Sequence, residues 1–304
     1  MYDLIIIGAG PAGLTAGLYT ARARLNVLML ERLAPGGQVL TTDWVENYPG
    51  FPEGVSGFDL MDKMKTQAEN FGLPIRNEEV VRVELSGNTK KVFTDKETYE
   101  TRSIILACGA TWKKLGIEGE ALLAGKGVSY CATCDGPFYR DQDVAVIGGG
   151  DTAVEEAIFL TRFASRIYLI HRRDELRAIK LLQERVMAEE KIEFIWDTVP
   201  VKVTGRTGVE GIELRNVKTG ETSRRDIQGI FIFIGTDPNS ALVKDLVKLD
   251  QNGFIVTDSH METSVPGVFA AGDIRSKRFR QIATAVGEGA DAAYSVEKYL
   301  ENPS

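Results

Sequence analysis

One glycine-punctuated segment occurs twice in this chain, and the repeat restricts the fold more than any other feature. Residues 3–31 read DLIIIGAGPAGLTAGLYTARARLNVLMLE. An apolar run at 4–7 meets Gly8, Gly10 and Gly13. An amphipathic stretch of small residues follows from about Leu14 to Ala23, and a second apolar run at 27–30 ends at Glu31. This is the pattern of strand, turn, helix and strand. Residues 143–173 repeat it as DVAVIGGGDTAVEEAIFLTRFASRIYLIHRR, with Gly148, Gly150 and Ala153 in the three turn positions. Glu31 follows Gly8 by 23 residues, and His171 follows Gly148 by 23. A single fingerprint of this kind carries little weight. Two copies in matching strand contexts predict two dinucleotide-binding folds.

The turn positions have separate duties. Gly8 allows the tight turn, Gly10 lets backbone approach a pyrophosphate, and Gly13 lets helix pack closely on strand. The helices that follow, opened by Pro11-Ala12 and by Asp151-Thr152, offer free amides and a positive end to phosphates. Glu31, next to Arg32, lies where a carboxylate accepts ribose hydroxyls. The second copy has no acid there. It has His171, Arg172 and Arg173, then Arg177. An acid repels a 2′-phosphate, whereas arginines pair with one bidentately. The first copy therefore reads as the adenosine end of an FAD site. The second reads as an NADPH site, with NADH disfavoured.

The repeat extends beyond the fingerprints. Residues 80–101 alternate apolar and polar, with turn signals at Ser86-Gly87-Asn88 and Asp95-Lys96. Residues 193–226 do the same, with turns at Thr207-Gly208 and Thr219-Gly220. Both read as β-meanders. Each precedes an apolar strand closed by glycine, Gly109 in one and Gly235 in the other. The expected architecture is α/β: two Rossmann-like domains of three-layer type with inserted β-meanders. A discontinuous FAD-binding domain is expected at 1–112 and 242–304, and an NADPH-binding domain at 113–241. The crossings are expected near 109–119 and 236–242.

Composition agrees with that size and class. The 304 residues suggest about two domains. The net charge of −7, with no long basic run, argues against general nucleic-acid binding. No apolar run reaches the ~18 residues of a membrane span. Met1-Tyr2-Asp3 does not open a signal peptide, so a cytoplasmic protein is expected. Three cysteines are too few for a disulfide scaffold, and two histidines form no zinc-binding cluster, so no metal is expected.

The chemistry concentrates in Cys131-Ala132-Thr133-Cys134-Asp135. A CxxC pair can close a small redox-active disulfide, and the neighbouring cysteine lowers a thiol pKa. Half a metal site and an inert buried pair are the alternatives, and the first lacks a second ligand pair. Asp135 can shuttle protons during exchange, or simply cap a turn. The motif precedes the second fingerprint, so it belongs to the nicotinamide lobe and yet must reach the flavin. Cys108, in an apolar strand, reads as an inert buried thiol. His260 is assigned no role.

Together the N-terminal GxGxxG, Gly36-Gly37-Gln38, CATCD, GGGDTA, HRRDELRA and GVFAAGD resemble the bacterial low-molecular-weight thioredoxin reductases over about residues 1–300. The resemblance implies that Gly36, Gly37, Gln38 and Asn47 line FAD, and that Gly272 and Asp273 meet its ribityl-phosphate region. Arg280, Gln281 and Ile282 open a helix toward the flavin pyrimidine ring, where a helix dipole favours the reduced anion. Val80, Gly109 and Gly235 complete the expected cofactor-binding set. Arg172, Arg173 and Arg177 hold the 2′-phosphate, and Asp135 is the proton donor.

The implied route runs from NADPH through FAD and the Cys131–Cys134 disulfide to oxidised thioredoxin. Cys131 attacks the partner, Cys134 faces the flavin, and the nicotinamide lobe turns between the two half-reactions. A homodimer is implied. Separately, the aromatic and basic residues Trp112, Phe138, Tyr139 and Arg140 read as part of a partner surface, a pattern that core aromatics share. The nearest alternatives are a reductase for another disulfide partner such as a peroxiredoxin, a ferredoxin-dependent form, and a non-catalytic redox sensor.

Overall fold

The first apolar run forms the strand Tyr2–Ile7, which is buried on both faces from Leu4 onward. That burial suits the centre of a parallel sheet. It pairs in parallel with Val27–Glu31 on one side and with Thr98–Leu106 on the other. Ile75–Asn77 and Val268–Ala270 extend the sheet at either end. The strand Thr98–Leu106 serves two structures. Its first residues pair antiparallel with Lys90–Thr94, which pairs in turn with Val80–Glu84 to form the meander. Its last residues lie in the parallel sheet. A computed structural model describes residues 1–301 except Asp43, Ser86 and Asn88, so two of the three residues of the predicted 86–88 turn lie outside the described residues.

The helices Pro11–Arg22 and Ile282–Glu301 cover one face of this sheet. They approach closely because small residues line the seam. A Cβ at Gly289 would run into the Ala12 carbonyl. The opposite face packs Ile5, Leu28, Ile104 and Val268 against the meander's Val83 and Val92, and against Val243 and Ile255. Helices, sheet and meander are the three layers.

The second unit repeats the plan. Its parallel sheet runs Ile192–Ile195, Arg166–Ile170, Asp143–Gly148, Gly229–Phe233, Val128–Ser129. The helices Asp151–Leu160 and Lys180–Met187 pack on one face. A separate antiparallel sheet, Thr198–Thr204, Gly211–Asn216 and Thr222–Arg225, packs on the other. Residues 193–195 therefore leave the predicted 193–226 meander. They extend the parallel sheet instead, with Ile192 paired to Ile167.

The chain divides into one compact unit of Met1–Thr111 with the segment from Asp237 onward, and a second of Trp112–Thr236. Residues 237–241, expected with the middle segment, go with the first unit. Asn239 explains this: its N–H donates to Gly109 O at 3.0 Å and its Nδ2 to Cys108 O at 2.8 Å. Trp112 falls in the second unit. Among the described residues no helix is long and apolar enough to cross a membrane, and no group of three metal-ligating side chains comes together.

Candidate functional site

In the first unit the glycines of the fingerprint differ in what surrounds them. A Cβ at Gly13 would collide with Gly8 O, and one at Gly8 with the carbonyl of Ala107. Those positions are glycine for packing. A Cβ at Gly10 would meet nothing within 4 Å, so that position faces open space above the N-terminus of Pro11–Arg22. That helix has no side-chain cap and no acid in its first turn. Its end amides are available to an anion.

Gly36 and Gly37 cross this turn. Gly36 N–H donates to Ala9 O at 2.8 Å, and a Cβ on Gly37 would lie 3.3 Å from Gly10 Cα. Gln38 donates through Nε2 to Ala110 O. Glu31 accepts from Ala9 N–H at 2.8 Å and from Leu33 N–H at 3.0 Å, which fixes its carboxylate beside the turn, while Arg32 is exposed.

The C-terminal segment joins the same site. Gly272, at φ +81°, would bring a Cβ to 2.9 Å from Ala12 Cβ. Its N–H donates to Glu288 Oε2 at 2.8 Å. Glu288 also meets Arg275 at 3.1 Å and Lys277 at 3.3 Å, and Lys277 meets Asp273 at 3.1 Å. This half-buried ionic network holds the Gly272-Asp273 turn, and no motif marked Glu288 for the task. Asn47 Nδ2 donates to Gln281 Oε1 at 3.1 Å, so two predicted flavin residues 234 positions apart come together. Ile282 opens the last helix. Arg280 is occupied elsewhere: it bonds the carbonyls of Asp273, Arg275 and Lys277 and lies 4.0 Å over the Phe254 ring. Val80 opens the meander and packs in the core, and Gly109 O receives Asn239 N–H. Cys108 is half-buried, and burial, then the charge of Glu31, pushes its thiol up to about 12.

In the second unit the pattern recurs. A Cβ at Gly148 would strike Ala153 Cβ and Phe233 O, whereas one at Gly150 would meet nothing within 4 Å. Thr152 lies exposed in the first turn of the helix. The arginine segment folds back on this turn: Arg177 N–H donates to Gly149 O at 2.7 Å, and Ile179 N–H to Asp151 Oδ1 at 2.8 Å. Arg172, Arg173 and Arg177 are exposed. His171 is not exposed with them. It is 4% exposed beneath the turn, and Gly149 lacks the Cβ that would strike its ring. Burial, then the charge of Arg177, lowers its pKa. Its Nε2 is buried without a partner among the described residues. An open glycine, free helix amides and an orphaned imidazole nitrogen fit a dinucleotide. Gly235 O receives Lys113 N–H at 3.0 Å.

Cys131 and Cys134 form a disulfide with Cα atoms 5.3 Å apart. Cys131 is extended and caps the one-turn helix Ala132–Asp135. Ala132 is fully buried among Ala153, Val154 and Ala157, which anchors the turn while both cysteines stay half-buried. Thr133 Oγ1 lies 3.3 Å from Cys131 Sγ. Asp135 accepts from Ser129 Oγ at 2.6 Å. Just upstream, the buried Glu120 accepts from Tyr130 Oη at 2.7 Å and from the amides of Leu115, Gly116 and Ile117. Neither Ser129 nor Glu120 carried a sequence signal. Of the expected partner surface, Phe138 and Arg140 are exposed, but Tyr139 is packed edge-on to Phe231 at 5.2 Å and belongs to the core.

The family description "Pyridine nucleotide-disulphide oxidoreductase" matches residues 2–289. The chain belongs to this family. A thioredoxin reductase of Mycolicibacterium smegmatis is 50% identical over 301 residues, covering 99% of this chain and 97% of that protein. A bifunctional thioredoxin reductase/thioredoxin of Mycobacterium leprae is 49% identical over 99% of this chain and 66% of its own length. The crystal structure of thioredoxin reductase from Streptococcus pyogenes MGAS5005 superposes with a TM-score of 0.94 at 49% identity, covering 99% of this chain and 98% of that one.

This pyridine nucleotide-disulphide oxidoreductase also carries an acid with a buried, unpartnered oxygen in the helix packed against the CxxC turn. Glu156 Oε2 is buried with no hydrogen-bond partner among the described residues, and burial, then Glu155, raises its pKa to about 7. A raised carboxyl pKa means that the fold holds a proton the unfolded chain has released. Its stabilising contribution is complete below the ordinary 4.5 and is lost as pH rises to about 7. Glu156→Gln will therefore raise stability relative to wild type by no more than about 3 kcal/mol at pH 8, and by little at pH 4.5. Urea midpoints across that range check this. A difference independent of pH would refute it.

Proposed function

We propose that this chain is a thioredoxin-disulfide reductase that binds FAD in its first unit and NADPH in its second. The observation that carries the reading is a closed Cys131–Cys134 disulfide with Asp135 in the same turn, within a fold that presents two open-glycine cradles. The names of its relatives point to the same substrate.

When bound, the two cofactors supply hydride transfer and a two-electron relay to the disulfide. The chain's own residues do the rest. Gly10, Gly37 and the end of Pro11–Arg22 receive one pyrophosphate, and Glu288 holds the Gly272-Asp273 turn beside it. Gly150 and the end of Asp151–Leu160 receive the other. Arg172, Arg173 and Arg177 provide the 2′-phosphate contacts that favour NADPH. Cys131 attacks the partner disulfide and Cys134 resolves it. Asp135 carries the proton that the leaving thiolate needs. The nicotinamide cradle and the CxxC lie in the same unit, so the two half-reactions call for a turn of that unit about the crossings at 111–112 and 236–237. A cytoplasmic homodimer completes the reading, supported by the resemblance.

An anaerobic absorbance titration tests it. NADPH will bleach the flavin at far lower concentration than NADH, and oxidised thioredoxin will restore the colour. No bleaching by either nucleotide overturns the nicotinamide assignment. Bleaching without restoration overturns thioredoxin as the partner. Replacing Arg172 and Arg173 with alanine removes two charge-assisted contacts, each worth about a factor of ten or more. The NADPH KM will rise roughly 10²-fold while the NADH KM stays nearly constant. Equal losses for both nucleotides would remove the arginines from the 2′-phosphate site.

A further inference from the structure

We propose that Ser129 positions Asp135 through both of its protonation states by turning one hydroxyl hydrogen between two acceptors. The inference deepens the reading above, since it rests on Asp135 as the proton carrier.

Ser129 ends the short strand Val128–Ser129 and is 4% exposed. A serine hydroxyl has one hydrogen to donate and two lone pairs to accept with. Three groups surround this one. Cys131 N–H donates to Oγ at 3.1 Å, Asp135 Oδ2 lies at 2.6 Å, and Cys131 O lies at 3.3 Å. With Asp135 ionised, the hydroxyl hydrogen points at Oδ2, and 2.6 Å is the length expected of a hydroxyl bonded to a carboxylate. With Asp135 protonated on Oδ2, the carboxylic acid donates to the second lone pair of Oγ, and the hydroxyl hydrogen turns to Cys131 O. The Cys131 N–H keeps the first lone pair throughout. Both states are satisfied without moving a heavy atom, so the aspartate can change charge with no buried group left unpaired.

The exchange reaction uses both states. The Cys131 thiolate attacks the partner disulfide, forming a mixed disulfide and releasing one partner thiolate. That thiolate takes the proton of Asp135, and the Ser129 hydrogen turns to the new carboxylate. The carboxylate then takes the proton of the Cys134 thiol. The Cys134 thiolate attacks Cys131 Sγ, closing the Cys131–Cys134 disulfide and expelling the second partner thiolate. Two electrons pass from the dithiol to the partner, one proton passes from Cys134 to the partner, and Asp135 returns to its starting state.

Other titratable and charged groups surround this turn. Tyr139 is pushed up to about 12 by burial and then by the charge of Asp135. Tyr130 is paired with Glu120, Arg140 follows the turn, and Asp151, Glu155 and Glu156 lie on the helix packed against Ala132–Asp135. Glu156 is the acid shifted toward neutrality, so Glu156→Gln serves as the control for the pH profile.

The test is single-turnover oxidation of the full enzyme, reduced anaerobically with a stoichiometric dithiol, between pH 5 and 9. The oxidants are hydroxyethyl disulfide, whose alkyl thiolate needs a proton, and an aromatic disulfide, whose thiolate leaves without one. This readout depends on neither NADPH nor thioredoxin. Ser129→Ala will slow the alkyl reaction about tenfold relative to the aromatic one. It will also move the Asp135 limb upward by about one pH unit, because a carboxylate that loses a donor holds its proton to higher pH. Ser129→Thr, which keeps the hydroxyl, will restore both. Equal slowing of both oxidants with the limb unmoved would make Ser129 a loop brace only and overturn the proposal. Asp135→Asn flattens the limb if the carrier reading holds. A limb that survives Asp135→Asn overturns that reading and Ser129 with it, while a flattened limb beside an unchanged Ser129→Ala overturns Ser129 alone.

Discussion

Serine at Cys131, at Cys134 or at both will leave a flavoprotein that NADPH still bleaches but that no longer turns over a protein disulfide. The loss should be at least about 10³-fold, because the two sulfurs act as one unit and neither half-reaction is completed by one alone. The two single variants will fail differently. Cys134→Ser keeps the attacking sulfur, so it will hold oxidised thioredoxin as a stable mixed disulfide visible on a non-reducing gel. Cys131→Ser will not. The assignment of Cys131 as attacker has local support, since the Thr133 hydroxyl at 3.3 Å can donate to its thiolate. Trapping by Cys131→Ser instead would exchange the two roles. Undiminished turnover in either variant would remove the CxxC from the reaction.

The second large effect comes from filling the open glycines. Gly10 and Gly150 have negative φ, −74° and −93°, and a Cβ at either meets nothing within 4 Å. The fold therefore accepts a side chain at both, and Gly10→Val and Gly150→Val should melt near the wild-type temperature. Each valine would fill the open space that the proposed function assigns to a pyrophosphate. Gly10→Val will purify colourless, with FAD affinity lowered at least about 10²-fold, which corresponds to about 3 kcal/mol of lost contacts. Gly150→Val will remain yellow and will not be bleached by NADPH, though dithionite will bleach it. Gly13→Val is the contrasting case. Its Cβ strikes Gly8 O, so that variant should fail to fold rather than fail to bind. A Gly10→Val protein that keeps its flavin would refute the first cradle.

The sequence carried most of this architecture because its signals are local. A glycine fingerprint, an alternating meander and a CxxC each occupy one short window, and the repeat made each copy a check on the other. What escaped it depends on distant packing. Residues 193–195 have the same alternation as the meander beside them, and only their register with Tyr168, Leu169 and Ile170 assigns them to the parallel sheet. Tyr139 reads as a surface aromatic until Phe231 is seen against its ring. His171 has the spacing of a cofactor contact, but its burial beneath Gly149, with Nε2 left without a partner among the described residues, is visible only in the fold. Glu120, Ser129 and Glu288 are ordinary polar letters in the sequence. They acquire roles only where the fold hands them a loop amide, an aspartate or the Gly272 N–H.

The split first unit has a consequence for how the protein is made. Its sheet takes its last strand from Val268–Ala270, and its fingerprint helix is covered by Ile282–Glu301. Both emerge from the ribosome after the whole of Trp112–Thr236 has been translated. The unit begun first is therefore the unit completed last, and the inserted one can fold during synthesis while its host waits. At roughly 5–20 residues per second the nascent chain spends on the order of ten seconds or more with the seam around Ala12 and Thr15 uncovered. A ribosome stalled some tens of residues beyond Thr236, once Gly229–Phe233 has cleared the exit tunnel, would hold a finished second unit on an open, apolar half-domain, the species on which a chaperone would act.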